Sequence, residues 1–451
     1  MRLASSNPNW FKIEELLDFW FNLGLSRGSS LPFDSSLISK KDALVAGAIF
    51  KRGVKQIYDT HSQTIISLST HVFEKEGRIQ TPHFNFCSDI ETLIEAFRDL
   101  LENAVFICDR NVLKLHPKIA LELSKSRTPI LPLNCQEKEK TLPTIISLLN
   151  AIPKNTEHLI AIGGGLCCDV AGFTGALAGT KIHYVPTTLL AIVDAGLGGK
   201  TGVNHARAGK NQIGCFAQIE SLSVVNELIS TQTTTLIRQG LAEILKHSFL
   251  FGSFELWYPQ LVSLLHATSH AAVQKPEIIS LIQDNLAFKN SIVLADPFEK
   301  DLRAMLNFGH TTAHLIEGIS AIAPNSHHIH KPLISHGVSV AIGLLCFARA
   351  GLAHHVPSKF NFILEDLIAR EDVNLPLFKL SDIHDFARNI LLQDKKNTPN
   401  QHNHITCITP TYGCLSTIPD EEQKLKFKRS QSAEIQVDDL LDILQRVGLF
   451  L

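Results

Sequence analysis

Arg303, Asn307, His310 and His314 follow one another at helical spacing. On one continuous helix turning about 100° per residue, they would lie within roughly 60° of each other. An arginine, an amide and two imidazoles among Leu306, Phe308 and Leu315 are costly to bury unless something binds them. His336 opens a further apolar stretch, His336-Gly337-Val338-Ser339-Val340. Upstream, Glu243 and Lys246 stand three apart in Arg238–Lys246 and share a helix face. One glutamate and two histidines form a common ligand set for a catalytic zinc with an open position.

A second kind of chemistry is written in glycine. Ile162-Gly163-Gly164-Gly165-Leu166-Cys167-Cys168-Asp169 follows a strand-like run and opens a helix-like one. Its glycines let the backbone approach a diphosphate, and the helix N-terminus offers unpaired N–H groups. The spacing departs from the dinucleotide fingerprint, because Cys168 stands where the third glycine would be. Further on come Val185-Pro186-Thr187-Thr188 and the segment Val193–Asn204, then Lys210 and Asn211. Lysines and hydrogen-bonding side chains among glycines predict a loop built against a phosphorylated ligand.

These residues need elements to position them. From about residue 65 to 234, short apolar runs alternate with helical stretches. Ala104–Cys108, Pro129–Leu133, His158–Ile162 and Ile182–Val185 read as strands; Val112–Ser124 and Thr141–Ala151 read as helices. Alternation of this kind predicts a parallel Rossmann-like sheet covered on both faces, with ligands beyond the carboxyl ends of the strands. From 235 to 451 the pattern is mainly helical, at Leu236–Leu250, Ile278–Ala295, Ala304–Gly318, Val338–Ala353 and Phe360–Ala369, with one late strand at Ile405–Ile408. The expected fold is therefore an α/β N-terminal domain followed by a mainly α-helical metal-binding domain. Residues 1–64 form an extension of unassigned role, with helical spacing at Ile13–Leu23 and a Ser/Gly/Pro-rich loop at Ser26–Ser36.

Composition narrows the partners. The formal net charge of −2 favours no nucleic acid or other polyanion. The longest apolar runs, such as Val338–Phe347, are too short to span a bilayer, and the chain reads as cytoplasmic. Nine cysteines without a C-x-x-C pair suit reduced, buried thiols rather than a zinc knuckle or a disulfide framework.

In order, GGG-x-x-x-D, VPTTLL-x-x-VD, GGKTGVNH, GKN-x-IG, GLAE-x-x-K, LR-x-x-LN-x-GHT-x-x-H and DKKN all occur. Through them, residues 65 to 445 resemble 3-dehydroquinate synthase and, more widely, the sugar phosphate cyclases. The resemblance implies that Glu243, His310 and His336 hold a divalent zinc or cobalt ion. It implies an NAD site of Asp109, Asn111, Glu137, Lys140, Gly164, Gly165, Thr187, Thr188, Asp194 and Lys210. It places Asp169, Lys200, Asn211, Lys246, Lys289, Arg303, Asn307 and His314 around a sugar phosphate, with Lys395 or Lys396 at the phosphate end. The implied reaction is a transient oxidation by NAD, elimination of phosphate, return of the hydride, ring opening and an intramolecular aldol closure. His314 is the expected proton-relay group, and a homodimer the expected assembly.

The chain also departs from that pattern. Ala178-Gly179 stands where the family has Arg-Gly, an arginine that helps bind substrate phosphate across a subunit interface; Lys181 is a nearby substitute. An insertion before His336 brings in His327, His328 and His330 as rival ligands, and Ala195-Gly196 replaces two serines after Asp194. The first expectation is a 3-dehydroquinate synthase acting on 3-deoxy-D-arabino-heptulosonate 7-phosphate. The alternatives are a sibling cyclase using sedoheptulose 7-phosphate or an amino analogue, a catalytically silent scaffold, and a metal-dependent alcohol dehydrogenase.

Overall fold

The computed structural model describes residues 81–205, 209–322, 334–373, 375, 377–392, 403–419 and 424–450. The extension 1–64, the rival His327, His328 and His330, and Lys395 and Lys396 lie outside the described residues. Two compact units emerge. One gathers 81–85, 90–185 and 199–223; the other gathers Phe86–Asp89, Pro186–Gly198 and 224–450.

The first unit is built on strands β1 (His83–Cys87), β2 (Ala104–Asp109), β3 (Ile130–Leu133), β4 (His158–Gly163), β5 (Lys181–Pro186) and β8 (Ser221–Val225), with a hairpin of β6 (Lys200–His205) and β7 (Gly209–Phe216). The six-stranded sheet runs β1-β8-β5-β4-β2-β3, and β2 pairs in parallel with both β3 and β4. Every residue of β4 is buried, as is β2 up to Asp109. Continuous apolar runs of this kind belong to parallel strands covered on both faces. The chain passes from β2 outward to β3, then returns to the other side of β2 as β4. That reversal makes the carboxyl ends of β2 and β4 a topological switch point, where α/β sheets open a ligand crevice.

Local chemistry moved several boundaries. The helix expected over Val112–Ser124 is two, Arg110–Leu115 and Lys118–Ser126. Pro117 lies at the break; it has no N–H and crowds the preceding turn. The loop expected between Val193 and Asn211 is instead a π-helical turn, Ala191–Ala195, followed by the antiparallel β6–β7 hairpin. Strands β1 and β8 had no recognised sequence signal.

The second unit is helical. Its long helices include Thr234–Phe251, Pro276–Ala295, His310–Ile322 and His336–Arg349, with Phe360–Ala369 as expected. The helix over Val338–Ala353 therefore starts earlier, at His336, and stops at Arg349. The late strand, β9 (His404–Ile408), pairs antiparallel with an unforeseen β10 (Ser432–Gln436). The largest correction concerns Ala304–Gly318, which is not one helix. Leu302–Asn307 is a 3-10 segment, Gly309 takes a left-handed φ of 77°, and the α-helix starts at His310. Gly309 lies so close to Leu344 that an added Cβ would sit 3.0 Å from the Leu344 backbone nitrogen, so the bend is locked by packing. The single stripe of Arg303, Asn307, His310 and His314 does not exist. His310 and His314 share a helix face, whereas Arg303 and Asn307 sit on a separate turn.

Candidate active site

In the helical unit, three helices each contribute one donor to a common point. Glu243 comes from the middle of Thr234–Phe251, and His310 and His336 are the first residues of their helices. Oε1 of Glu243 lies 3.6 Å from Nε2 of His310 and 3.3 Å from Nε2 of His336. Tetrahedral zinc with bonds of 2.0–2.2 Å sets its ligand atoms about 3.4 Å apart. The donors are thus spaced for a cation of that size. Orientation agrees. Nδ1 of His310 donates to the Phe308 carbonyl at 3.2 Å, and Nδ1 of His336 donates to Oε1 of Glu317 at 2.7 Å. Protonation at Nδ1 leaves both Nε2 lone pairs facing Glu243, the arrangement in which outer carboxylates and carbonyls aim histidine ligands. Both Glu243 oxygens are fully buried without a well-directed hydrogen bond, a costly state that a cation would relieve.

Charge reinforces this reading. Burial alone would raise the Glu243 carboxyl, but Lys246, His336 and His310 hold it well below the usual range. Burial pushes His310 down. Burial also opposes charge on His336, but hydrogen bonds and charge from Glu243 and Glu317 overcome it and raise the imidazole to about 10. A proton on His336 then occupies the electrostatic role of a cation.

Beside this set lie Lys246, ion-paired with Glu243, and Lys289, which donates to the Asp194 carbonyl at 2.5 Å and pairs with its carboxylate. Burial lowers Lys289 to about 8, Asp194 opposing. Arg303 is buried, and its Nη1 donates to the Pro297 carbonyl at 2.7 Å. A Cβ on Gly198 would meet Nη2 of Arg303 at 2.5 Å, so only glycine lets the guanidinium lie there. Asn307 donates to Glu299 at 2.7 Å. The ring of His314 lies 5.7 Å from that of His310. Thr187 is buried, and the Thr188 hydroxyl accepts from Ala191 N at 3.2 Å, capping the turn that carries Asp194. Asp194, expected on the cofactor, is thus joined to Lys289, expected on the substrate.

In the α/β unit, Asp109 ends β2 and accepts from Asn111 N at 2.8 Å. Gly163 ends β4, and a Cβ there would collide with Cys167 and approach Asp109 at 3.2 Å. Gly164 is the N-cap of helix Gly165–Ala178 and offers no side-chain cap. Its first-turn N–H groups therefore point from the switch point as an anion-binding end. Close by, Lys140 donates to Asp169 at 2.6 Å and to Asn211 at 2.5 Å. Asn204 bridges, giving to Glu137 Oε1 at 2.8 Å and accepting from Asn211 N at 2.9 Å. Lys140 and Glu137, expected on the cofactor, and Asp169 and Asn211, expected on the substrate, thus form one network. Lys200 and Lys210 are exposed on the hairpin. Lys181, offered as a substitute for the missing arginine, begins β5, at the strand end opposite the carboxyl edge.

Sequence reasoning missed Glu317, Asn204 and the buried pair His247 and Asn285. Glu317 had a readable signal, standing seven residues after His310 and three after His314 on one helix face. His247 had a similar one, standing four residues after Glu243 on one helix face.

A parallel sheet with an uncapped glycine turn at its switch point, and a helical unit carrying a buried Glu-His-His donor set, define a Rossmann-like protein whose helical unit holds a candidate metal-ligand set. Comparison with known proteins narrows that class. The 3-dehydroquinate synthase N-terminal family matches residues 130–239, and the 3-dehydroquinate synthase C-terminal family matches 240–397. The chain is 34% identical over 273 residues to the 2-epi-valiolone synthase of Actinosynnema mirum, covering 57% of this chain and 66% of that one. It is 32% identical over 271 residues to the 3-dehydroquinate synthase of Ruthia magnifica, covering 58% and 70%. A crystal structure of 2-deoxy-scyllo-inosose synthase, complexed with carbaglucose-6-phosphate, NAD+ and Co2+, shares the fold at a TM-score of 0.63 and 22% identity, covering 83% of this chain and 100% of that one. The chain belongs to the 3-dehydroquinate synthase family of sugar phosphate cyclases.

Proposed function

We propose that this protein is an NAD- and divalent-metal-dependent cyclase that converts 3-deoxy-D-arabino-heptulosonate 7-phosphate to 3-dehydroquinate and inorganic phosphate. The observation that carries the reading is the Glu243, His310 and His336 set, with donor separations of 3.3 and 3.6 Å, surrounded by three buried cationic side chains, Lys246, Lys289 and Arg303. Glu243, His310 and His336 would hold zinc or cobalt. Gly164, Gly165 and the Asp109 edge would hold NAD. When bound, NAD supplies a reversible hydride acceptor and the metal a Lewis acid for vicinal hydroxyls.

The chain's own residues do the rest. Lys246, Lys289 and Arg303 present positive charge to the carboxylate and phosphate of the substrate. Asn307, held by Glu299, orients a hydroxyl. His314, near His310 and only partly buried, takes and returns the proton lost on elimination. Within the α/β unit, Lys140, Asp169 and Asn211 form a preorganised polar network. The expected assembly is a homodimer.

A second reading has its own support. The 34% identical relative is a 2-epi-valiolone synthase, and Ala195-Gly196 departs from the two serines of the synthase pattern. Under that reading the substrate is sedoheptulose 7-phosphate.

Purified protein with NAD and zinc or cobalt, offered each sugar phosphate separately, decides the matter by phosphate release. Turnover of the 3-deoxy acid phosphate is expected, without net NADH. Turnover of sedoheptulose 7-phosphate alone selects the second reading. Silence with both, despite bound metal and NAD, overturns the cyclase reading.

A further inference from the structure

Glu243 has an unexplained polar neighbour on its own helix. His247, one turn further along, is 0% exposed. Its Nδ1 faces the Asn285 amide on helix Pro276–Ala295, 3.1 Å from Nδ2 and 3.3 Å from Oδ1. The Phe288 ring lies edge-on at 5.8 Å between centroids. The other ring nitrogen, Nε2, is fully buried and has no hydrogen-bond partner among the described residues. His247, Glu243 and Asp194 each place one polar ligand-type atom within 4.8 Å of the other two. For any triangle of that size, some point lies within about 2.8 Å of all three corners, the length of a hydrogen bond to oxygen.

Two kinds of guest could use that point, a cation or a neutral hydroxyl. Lys246 already places an ammonium on Glu243, and Lys289 places one on Asp194. A second cation would face both ammonium groups, with only a neutral imidazole added in return. A hydroxyl oxygen brings no charge, donates to a carboxylate and pairs with the imidazole, and buried waters typically make about three such bonds.

We propose that His247, Glu243 and Asp194 enclose a binding site for one uncharged hydroxyl oxygen, from water or from a polyol ligand. Through that oxygen, His247 acts as a positioning residue that braces the metal-binding carboxylate. The bracing role rests on the metal-centre reading above; the oxygen site itself does not.

High-resolution crystal structures of the cobalt- and NAD-loaded protein, with and without sedoheptulose 7-phosphate, test the site directly. An oxygen within hydrogen-bond distance of His247 and of a carboxylate in both structures supports it, with water as the source. A sugar hydroxyl there only in the second structure supports it with the ligand as the source. An anomalous cobalt peak at that point, or His247 Nε2 bonded directly to protein, overturns it. Bracing is tested by cobalt affinity. His247→Phe is expected to weaken binding about tenfold, as outer-shell changes do, while His247→Gln, which keeps a polar group, restores it to within about threefold, at matched melting temperatures. Wild-type cobalt affinity in His247→Phe overturns the bracing role. Wild-type protein that binds no cobalt at Glu243 defeats the metal-centre reading instead, and leaves the oxygen site to be judged by the metal-free crystal structure.

Discussion

Glu317 offers the sharpest test of the proposed metal centre, because its carboxylate aims His336. Its Oε1 accepts from Nδ1 of His336 at 2.7 Å, and its side chain is 22% exposed. That bond fixes both the tautomer and the ring plane of a proposed ligand that itself keeps 35% exposure and would otherwise rotate. Loss of such an outer carboxylate typically lowers metal affinity by about 10- to 100-fold, or about 1.4–2.7 kcal/mol. Glu317→Gln keeps an acceptor and loses the charge, so it belongs near the lower figure. Glu317→Leu loses both and belongs near the upper one. Competition titration with a cobalt or zinc indicator measures the difference. Glu365→Gln, on an exposed ion pair with Arg349, is the control and is expected to change nothing. Cobalt binding of wild-type strength in Glu317→Leu, with an unchanged melt, would refute the claim that His336 is aimed from behind.

Two further outcomes follow from packing and burial. Gly309→Ala forces an L-residue into a left-handed turn and places a methyl 3.0 Å from Leu344. It should cost more than about 1 kcal/mol by denaturant titration and weaken metal binding with it, because His310 is the next residue. In the α/β unit, His183 is buried between His158 Nδ1 at 3.0 Å and Ser221 Oγ at 2.9 Å; burial first, then His158 and Lys181, lower it to about 4. A folded value below the unfolded one means stability is full above about pH 6.5 and falls as pH drops towards 4, by about 3 kcal/mol in total. Urea melts of His183→Asn across that window should lose most of that slope, and an unchanged slope would show that the histidine is not its source.

Much of this protein was legible in residue order. Continuous apolar runs such as Ala104–Cys108 and His158–Ile162 became buried parallel strands, since a strand covered on both faces has nowhere to place a polar residue. The glycines at 163–165 marked the strand-to-helix turn, because few other residues tolerate so close a backbone approach. Helical spacing found the Glu243, His336 and Phe360 helices. Residue type marked Glu243, His310, His314 and His336 as candidates, and the family resemblance chose three of them as the donor set.

The tertiary structure decided what spacing could not. Periodicity read Arg303 to His314 as one stripe, but the contact of Gly309 with Leu344 bends the chain there and gives Arg303 and His310 different supports. The outward pass to β3 and the return beside β2 created the switch point, which depends on strand order rather than composition. Glu317 behind His336, Asn204 between Glu137 and Asn211, and Asn285 beside His247 are all contacts between residues that local sequence treats as unrelated. Chain order carries short-range preference and burial pattern. Which charges share a dry, low-dielectric space is settled only when separate helices pack, and that sharing sets how the ligands are aimed and charged.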